Sequence, residues 1–467
     1  VIASETMSGR LRTHSLALAI VAAAIAGLPA RAQAQMRPFQ GLFGTDSDRR
    51  QTLVANFSLY GGYDDNVVGN SQAGGTATRA AQVGSSLAGV SANLAYAKNG
   101  QRLNYALSLD SGARYFPEAS DLSAASYGLG AGLGYKLSRY SRLSLSQAVS
   151  YRPRYQLGLL DSLEDPTLGE AVPSNLDFTV TKRESWIYRT TVGFDRQLGR
   201  RTDLGLTYSF YKQDFQGGDA MLPPDPLPTT PLPGPGDPLS PTTTFIGTFR
   251  DVTIQAGGFK LQHKLSRGFG LHAGYTYSRA DYPAPQNRLV EQHILDIGAD
   301  YSRGFSPSRK TTFTFSTGSG IIERAGIRRF RLTGTAALVH QFSRMWVGNV
   351  RYRRGLGFLG AFDEPYFADT VTTGLTGYLS TRVRWNLQAG YTSGQIGLQT
   401  APDKGVKTVS GSTSMDVVIT PLLSAFAQYI YYQYEFQQGV SLPAGLDRQF
   451  DRQGVRVGLM LRLPLIQ

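Results

Sequence analysis

Leu103-Asn104-Tyr105-Ala106-Leu107-Ser108-Leu109-Asp110 sets large apolar side chains against small or polar ones at every second position. The same alternation runs through Tyr127, Leu129, Ala131, Leu133, Tyr135 and Leu137. Successive side chains of a strand point to opposite faces, so each stretch has one apolar face and one polar face. The pattern returns at Leu204, Leu206, Tyr208 and Phe210, and again at Val383, Trp385, Leu387, Ala389 and Tyr391. After Thr52 no sustained helical periodicity interrupts it. Half-apolar strands joined by long polar connections at alternate ends predict an all-β chain, folded as a transmembrane, antiparallel, up-and-down β-barrel.

Composition fits that reading. The apolar fraction is 41% and the mean hydropathy is −0.21, as expected where only alternate residues meet lipid. Beyond the N-terminal region no run of about 18 apolar residues exists, which excludes a helical membrane protein. The chain has no cysteine, so disulfides, thiolate metal sites and a lipid-modified cysteine are excluded. Arg10 and Arg12, the apolar run from Leu16 to Leu28, and Ala32-Gln33-Ala34 predict a cleaved secretory signal peptide over 7–34, with Met7 as the natural start. Residues 35–50 then form a short periplasmic segment, too small for a receptor-type plug, and 51–467 form the barrel. Export followed by amphipathic strands places the protein in the outer membrane of a Gram-negative-type cell.

Turns supply the count. Short ones fall at Lys98-Asn99-Gly100, Ser138 to Ser141, Gly199 to Thr202, Ser266-Arg267-Gly268, Arg303 to Ser308, Ser343-Arg344, Ser380 to Arg382 and Thr420-Pro421. Several share the frame apolar, Ser or Gly, Arg, three residues, apolar, as in Leu137 to Leu143 and Leu265 to Leu271. These hairpins, with a first strand near Thr52 to Tyr63 and a last near Arg452 to Leu463, give about 18 strands with short periplasmic turns and long external loops. Residues 221–244 carry nine prolines and favour extended polyproline II, so they read as an external loop. Aromatic residues near strand ends, among them Tyr115, Tyr151, Trp186, Trp346, Trp385, Tyr432 and Tyr434, read as headgroup belts on the lipid face.

The net charge of +13 is distributed. Arginines in the short turns would meet lipid phosphates, and acidic loop residues such as Asp64, Asp65, Glu118 and Asp363 suit cation bridging beside lipopolysaccharide. With Trp346, Gly348, Val350 and Tyr352 facing lipid, Asn349, Arg351 and Arg353 turn inward. The same phase turns in Arg114, Arg152, Arg154, Arg189, Arg384 and Arg456. A midplane arginine facing lipid would cost about 2–4 kcal/mol. Inward carboxylates are fewer: Asp110, Asp195, Asp296, Asp300 and Glu435. The expectation is an arginine-rich constriction that concentrates anions, against the plainer reading that these groups pair and stiffen the wall.

No enzyme is expected. His263, His272, His293 and His340 are scattered, and no G-x-S-x-G or H-E-x-x-H motif occurs. No cofactor or metal is implied, and the spread of basic residues offers nothing to nucleic acid. The expected partners are outer-membrane lipids and lipopolysaccharide, the barrel assembly machinery, and small hydrophilic solutes or polysaccharide. The apolar face suits lipid or a second copy equally, which leaves a homo-oligomer open.

Tyr60-Gly61-Gly62-Tyr63-Asp64-Asp65-Asn66-Val67, ending the first strand, resembles the β-barrel porin 2 family of outer-membrane proteins. That resemblance implies a porin-like barrel and, through some relatives, a link to exopolysaccharide export. The tail Leu461 to Gln467 departs from the terminal aromatic usual in such barrels. The sequence therefore reads as a porin-like channel for passive diffusion of small, hydrophilic, anion-favoured solutes. The alternatives are an exopolysaccharide-export component, with Tyr211, Tyr378, Tyr429 and Tyr431 stacking on sugars, and a non-conducting structural or adhesion barrel.

Overall fold

The computed structural model describes residues 51–67, 84–118, 123–153, 155–156, 179–181, 184–216, 251–266, 269–282, 288–301, 303–304, 310–324, 327–357, 365–397, 404–440, 442 and 447–466. The signal peptide, the segment 35–50, the Pro-rich stretch 221–244 and Arg154 lie outside them. Eighteen antiparallel strands close on themselves. They are β1 Gln51–Asp64, β2 Ser85–Asn99, β3 Leu103–Tyr115, β4 Ala124–Ser138, β5 Ser141–Arg152 and β6 Ser185–Gln197. Then follow β7 Thr202–Phe215, β8 Val252–Lys264, β9 Phe269–Tyr282, β10 Arg288–Tyr301, β11 Thr311–Arg324 and β12 Ile327–Gln341. The last six are β13 Trp346–Gly357, β14 Tyr366–Tyr378, β15 Val383–Ile396, β16 Gly405–Val418, β17 Leu423–Phe436 and β18 Gln449–Ile466. Arg303–Gly304 prolongs β10 against β11, and a small ribbon pairs Tyr155–Gln156 with Thr179–Thr181 outside the wall. Each strand pairs with its chain neighbours, and β18 pairs with β1.

The serine-rich turn repeat has a local cause. Ser138 Oγ accepts the Tyr140 N–H at 3.1 Å, Ser343 Oγ that of Met345 at 3.1 Å, and Ser380 Oγ that of Val383 at 3.2 Å. Thr420 does the same for Leu423 at 3.0 Å. A hydroxyl that satisfies turn N–H groups stabilises a hairpin reversal without glycine.

Faces follow the alternation. Leu59, Leu107, Leu109, Leu129, Ile297, Phe330 and Val350 point outward and stay exposed, as a lipid-facing band must. Aromatic rings belt this face. Tyr127, Tyr151, Trp186 and Tyr188 contact one another in series near the loop end, and Trp346 meets Trp385 edge-on near the short turns. Glycine makes room for rings across the ladder. Gly377 pairs with Trp346, and Gly89 with Tyr60. A Cβ at either position would sit within 2.1–2.6 Å of the ring.

The inner face at the loop end is packed. Tyr366, Ala368, Ile396, Val406, Tyr432, Tyr434, Phe436, Val440 and Phe450 form one buried cluster from β14 to β18, with Phe215 of β7 packed on it. Strand β7 lies seven strands from β14 one way round and seven from β18 the other. A circular barrel of eighteen strands would be roughly 35 Å across by strand spacing and tilt, so this contact draws opposite walls together.

Two ladders are incomplete among the described residues. Between β10 and β11 pairing breaks after Asp296 and resumes at Arg303, with the Thr317 hydroxyl donating to the Ile297 carbonyl at 3.1 Å across the gap. Between β12 and β13 pairing stops at Gly334 opposite Arg354 and does not resume.

Candidate functional site

Register fixes which side chains face the lumen. Arg114, Arg152, Arg189, Asn349, Arg351, Arg353, Arg384 and Arg456 share faces with inward neighbours, opposite the exposed apolar residues of their own strands. Asp110, Asp195 and Asp296 face the same way, and Asp300 is described by its backbone alone.

Glu435 is a correction. It is exposed and aligned with Leu423, Tyr429 and Tyr431 on the outward face of β17. The expected phase of that strand's outer half is reversed throughout: Tyr429 and Tyr431 point out, while Tyr432 and Tyr434 are buried inside, 0% and 1% exposed. Apolar or aromatic residues occupy both faces of Tyr429 to Phe436, so alternation there carries no phase. Pairing with Val406 and Thr408 of β16 decides it.

The inward arginines do not form one ring. Arg351 pairs with Thr372, whereas Arg384 pairs with Tyr378, six residues nearer the short turns, or about 20 Å along a strand. Arg384 stands near Asp416, whose carboxylate also takes an N–H of Asn386 at 3.4 Å. Arg189 lies over the Tyr211 ring at 5.7 Å. The charges descend the wall as a broken column.

Among the described residues, several converge at the closure of β18 onto β1. Arg452 Nε donates to both Asp64 oxygens, at 3.0 and 2.9 Å, and its Nη2 reaches the same carboxylate. Arg114 Nε donates to the Tyr60 hydroxyl at 3.2 Å, and Arg456 lies over the Tyr60 ring at 5.9 Å. Asp64, Ile430, Tyr432, Arg452, Gly454 and Arg456 line a small recess there. The motif continues as a clasp between chain ends. Asp65 Oδ1 accepts the Gln453 N–H at 2.6 Å, and Asn66 Nδ2 donates to the Asp451 carbonyl at 2.8 Å. Burial lifts the Asp65 carboxyl above its ordinary range, against that N–H.

Asp64, Asp65 and Glu118, expected as free loop acids, are therefore structural. Glu118 accepts from the Ser85 and Ser86 hydroxyls at 2.5 and 2.9 Å, which holds its carboxyl below the usual range. Sequence reasoning missed Arg452 altogether. Its signal was its even spacing from Arg456 on the inward face of the last strand.

The histidines have separate partners. His263 meets Thr202 at 2.9 Å, His293 meets Tyr275 at 2.7 Å, His340 meets Thr311 at 2.7 Å, and His272 lies 3.2 Å from Asp296.

No family model and no curated protein matches this chain. Several solved outer-membrane proteins are similar to it at low identity. OpdQ of Pseudomonas aeruginosa is 10% identical, with 89% of this chain and 98% of that one covered and a TM-score of 0.44. OccAB3 of Acinetobacter baumannii is 11% identical, at 88% and 99% coverage and a TM-score of 0.42. The FrpB iron transporter of Neisseria meningitidis is 9% identical, at 89% and 81% coverage and a TM-score of 0.43. A closed barrel with an apolar, aromatic-belted exterior is built to sit in a membrane.

Proposed function

We propose that the barrel is a channel for passive diffusion of small hydrophilic solutes, with a preference for anions. The observation that carries this is the charge of the inner wall. Among the described residues, inward arginines on β3, β5, β6, β12, β13, β15 and β18 outnumber the inward carboxylates. A surplus of one sign on a low-dielectric wall raises the local concentration of the opposite ion. Serine, threonine and asparagine between them, such as Ser58 bonded to Ser91 at 2.6 Å and Asn93 to Asp110 at 2.7 Å, offer solute a polar surface. The packed cluster at the loop end, with Phe215 against it, narrows the lumen there. The sugar-stacking alternative loses support because Tyr429 and Tyr431 point away from the lumen.

Single-channel conductance of the refolded protein, with reversal potential under a salt gradient, tests the proposal. We expect conductance with anion preference, weakened when Arg351 and Arg353 are changed to glutamine. A folded barrel that conducts nothing, or conducts without regard to those two residues, would overturn it.

A further inference from the structure

Two contacts at the seam between β12 and β13 join faces that a simple wall would keep apart. On β12, Phe330 and Leu332 are 61% and 62% exposed on the outward face, so Arg331 between them points inward. Its guanidinium nevertheless lies 5.5 Å from the Phe367 ring. Phe367 shares the outward face of β14 with Asp369 and the exposed Val371, and the outward Arg354 lies over the same ring at 5.2 Å. Leu356 shares the outward face of β13 with Val350 and Tyr352. It packs on Val252, Ala280, Tyr282 and Val290, which are inward residues of β8, β9 and β10.

An outward face can rest on inward faces only where the wall overlaps itself. The tip of the β13–β14 hairpin, residues 355–357 and 366–368, therefore sits inside the barrel behind β12. Its own inward residues Tyr366 and Ala368 join the cluster that Phe215 meets from β7. The tip thus stands in the lumen with packed side chains on both of its faces.

The same residues fit a second arrangement. The β12–β13 ladder stops at Gly334 opposite Arg354, although β12 stays on β11 as far as Ile327 and β13 stays on β14 through Gly357. Continued in register, it would pair Thr333 with Gly355, Leu332 with Leu356 and Arg331 with Gly357. Leu356 and Phe367 would then join Leu332 on the lipid face, where apolar side chains belong. The strand edges at the lips of the seam would gain the hydrogen bonds they now forgo with each other. Inside the barrel, the tip has the burial of Leu356 and the ring contacts of Phe367 instead.

We propose that this tip is a gate at the loop end of the channel. Tucked behind β12 it narrows the mouth. Zipped onto β12 it rejoins the wall, returns Arg331 to the lumen and widens the mouth. Each position supplies interactions that the other gives up, which keeps the two close in free energy. Gly334 and Gly355 flank the break, and glycine within a strand permits the bend. The gate rests on the channel reading above.

The absence of native cysteine lets a disulfide hold one position. Leu332→Cys with Leu356→Cys bridges when the tip is zipped, and the bond is read by mass before any current is measured. Leu338→Cys with Val350→Cys, paired in the wall in either position, is the control. Under mild oxidation we expect both pairs to cross-link, the seam pair more slowly. Equal rates would mean that the tip rests in the wall and would overturn the tucked position. A seam pair that never bridges while the control does would overturn the hinge.

Oxidising the seam pair should raise the single-channel conductance, and reductant should reverse the rise. The control pair should leave it unchanged. Leu356→Ala, which removes the apolar anchor of the tip, should raise conductance without oxidant while keeping the heat-modifiable mobility of a folded barrel. A conducting barrel whose current responds to neither the seam disulfide nor Leu356→Ala would overturn the gate and leave the channel reading standing. A cross-linked seam in a barrel that conducts in neither position would overturn the channel reading, and the gate with it.

Discussion

The junctions β18–β1 and β12–β13 solve the same problem in opposite ways. At β18–β1 twelve residue pairs run to the loop end, where Asp64, Asp65 and Asn66 fasten onto Arg452, Gln453 and Asp451. At β12–β13 eight pairs form, and beyond them, among the described residues, an aromatic ring lies between guanidinium groups at the lips. A barrel thus does not need uniform hydrogen bonding around its wall. It is fastened where two distant chain ends must find each other, and looser where neighbours in sequence cannot stray far.

The largest test of that contrast is Asp64→Ala. The ion pair is 5% and 2% exposed at its two side chains, and removing one member of a buried pair strands the other at a cost on the order of 3–5 kcal/mol. We expect a large fall in the urea midpoint of the barrel in lipid. A change below that of a surface substitution would show that backbone pairing alone holds the closure.

Gly89→Ala comes next. The new Cβ would meet the Tyr60 ring at 2.3–2.5 Å, displacing the partner of Arg114, and overpacking of this kind costs roughly 1–3 kcal/mol. The same titration reads it.

Phe367→Leu probes the other junction and should cost only about 0.5–1 kcal/mol, the worth of exposed cation–π contacts. A loss as large as that of Asp64→Ala would erase the distinction between the junctions.

The smallest effect is that of acid on Glu118. Its carboxyl is depressed in the folded protein by hydrogen bonds from Ser85 and Ser86, so its contribution is complete above the ordinary glutamate range and is lost as pH falls through the lowered folded value. Hydrogen exchange at the Ser86 amide, which donates to Glu118 at 3.0 Å, should quicken over that acid window and not in the Glu118→Gln protein.

Strand phase was legible wherever one face was clearly apolar. Trp346, Val350 and Tyr352 fix the orientation of β13, and the structure follows them. It was illegible on β17, where Ile430 and Phe436 compete with Tyr429 and Tyr431 for the same apolar environment. The inward cluster around Tyr432 escaped for a related reason: a ring near a strand end suits either a headgroup belt or a packed lumen, and the choice depends on how far opposite walls approach.

The clasp left a sequence trace in Tyr-Asp-Asp-Asn-Val, yet its meaning requires partners 388 residues away. The seam left none, since a missing ladder is not written in any single residue.

That separation of 388 residues also governs how the molecule can come into being. Contacts this remote are slow to find, although the loop-closure cost itself grows by only about 0.6 kcal/mol per doubling of length. Until the last strand arrives, the first presents a bare edge to which any passing strand could add. A foreign strand would have to supply a cation opposite Asp64 or bury that carboxylate alone. The Asp64–Arg452 pair is thus a password between the two ends of one chain, and it penalises mispairing during the interval when the protein is most exposed to it.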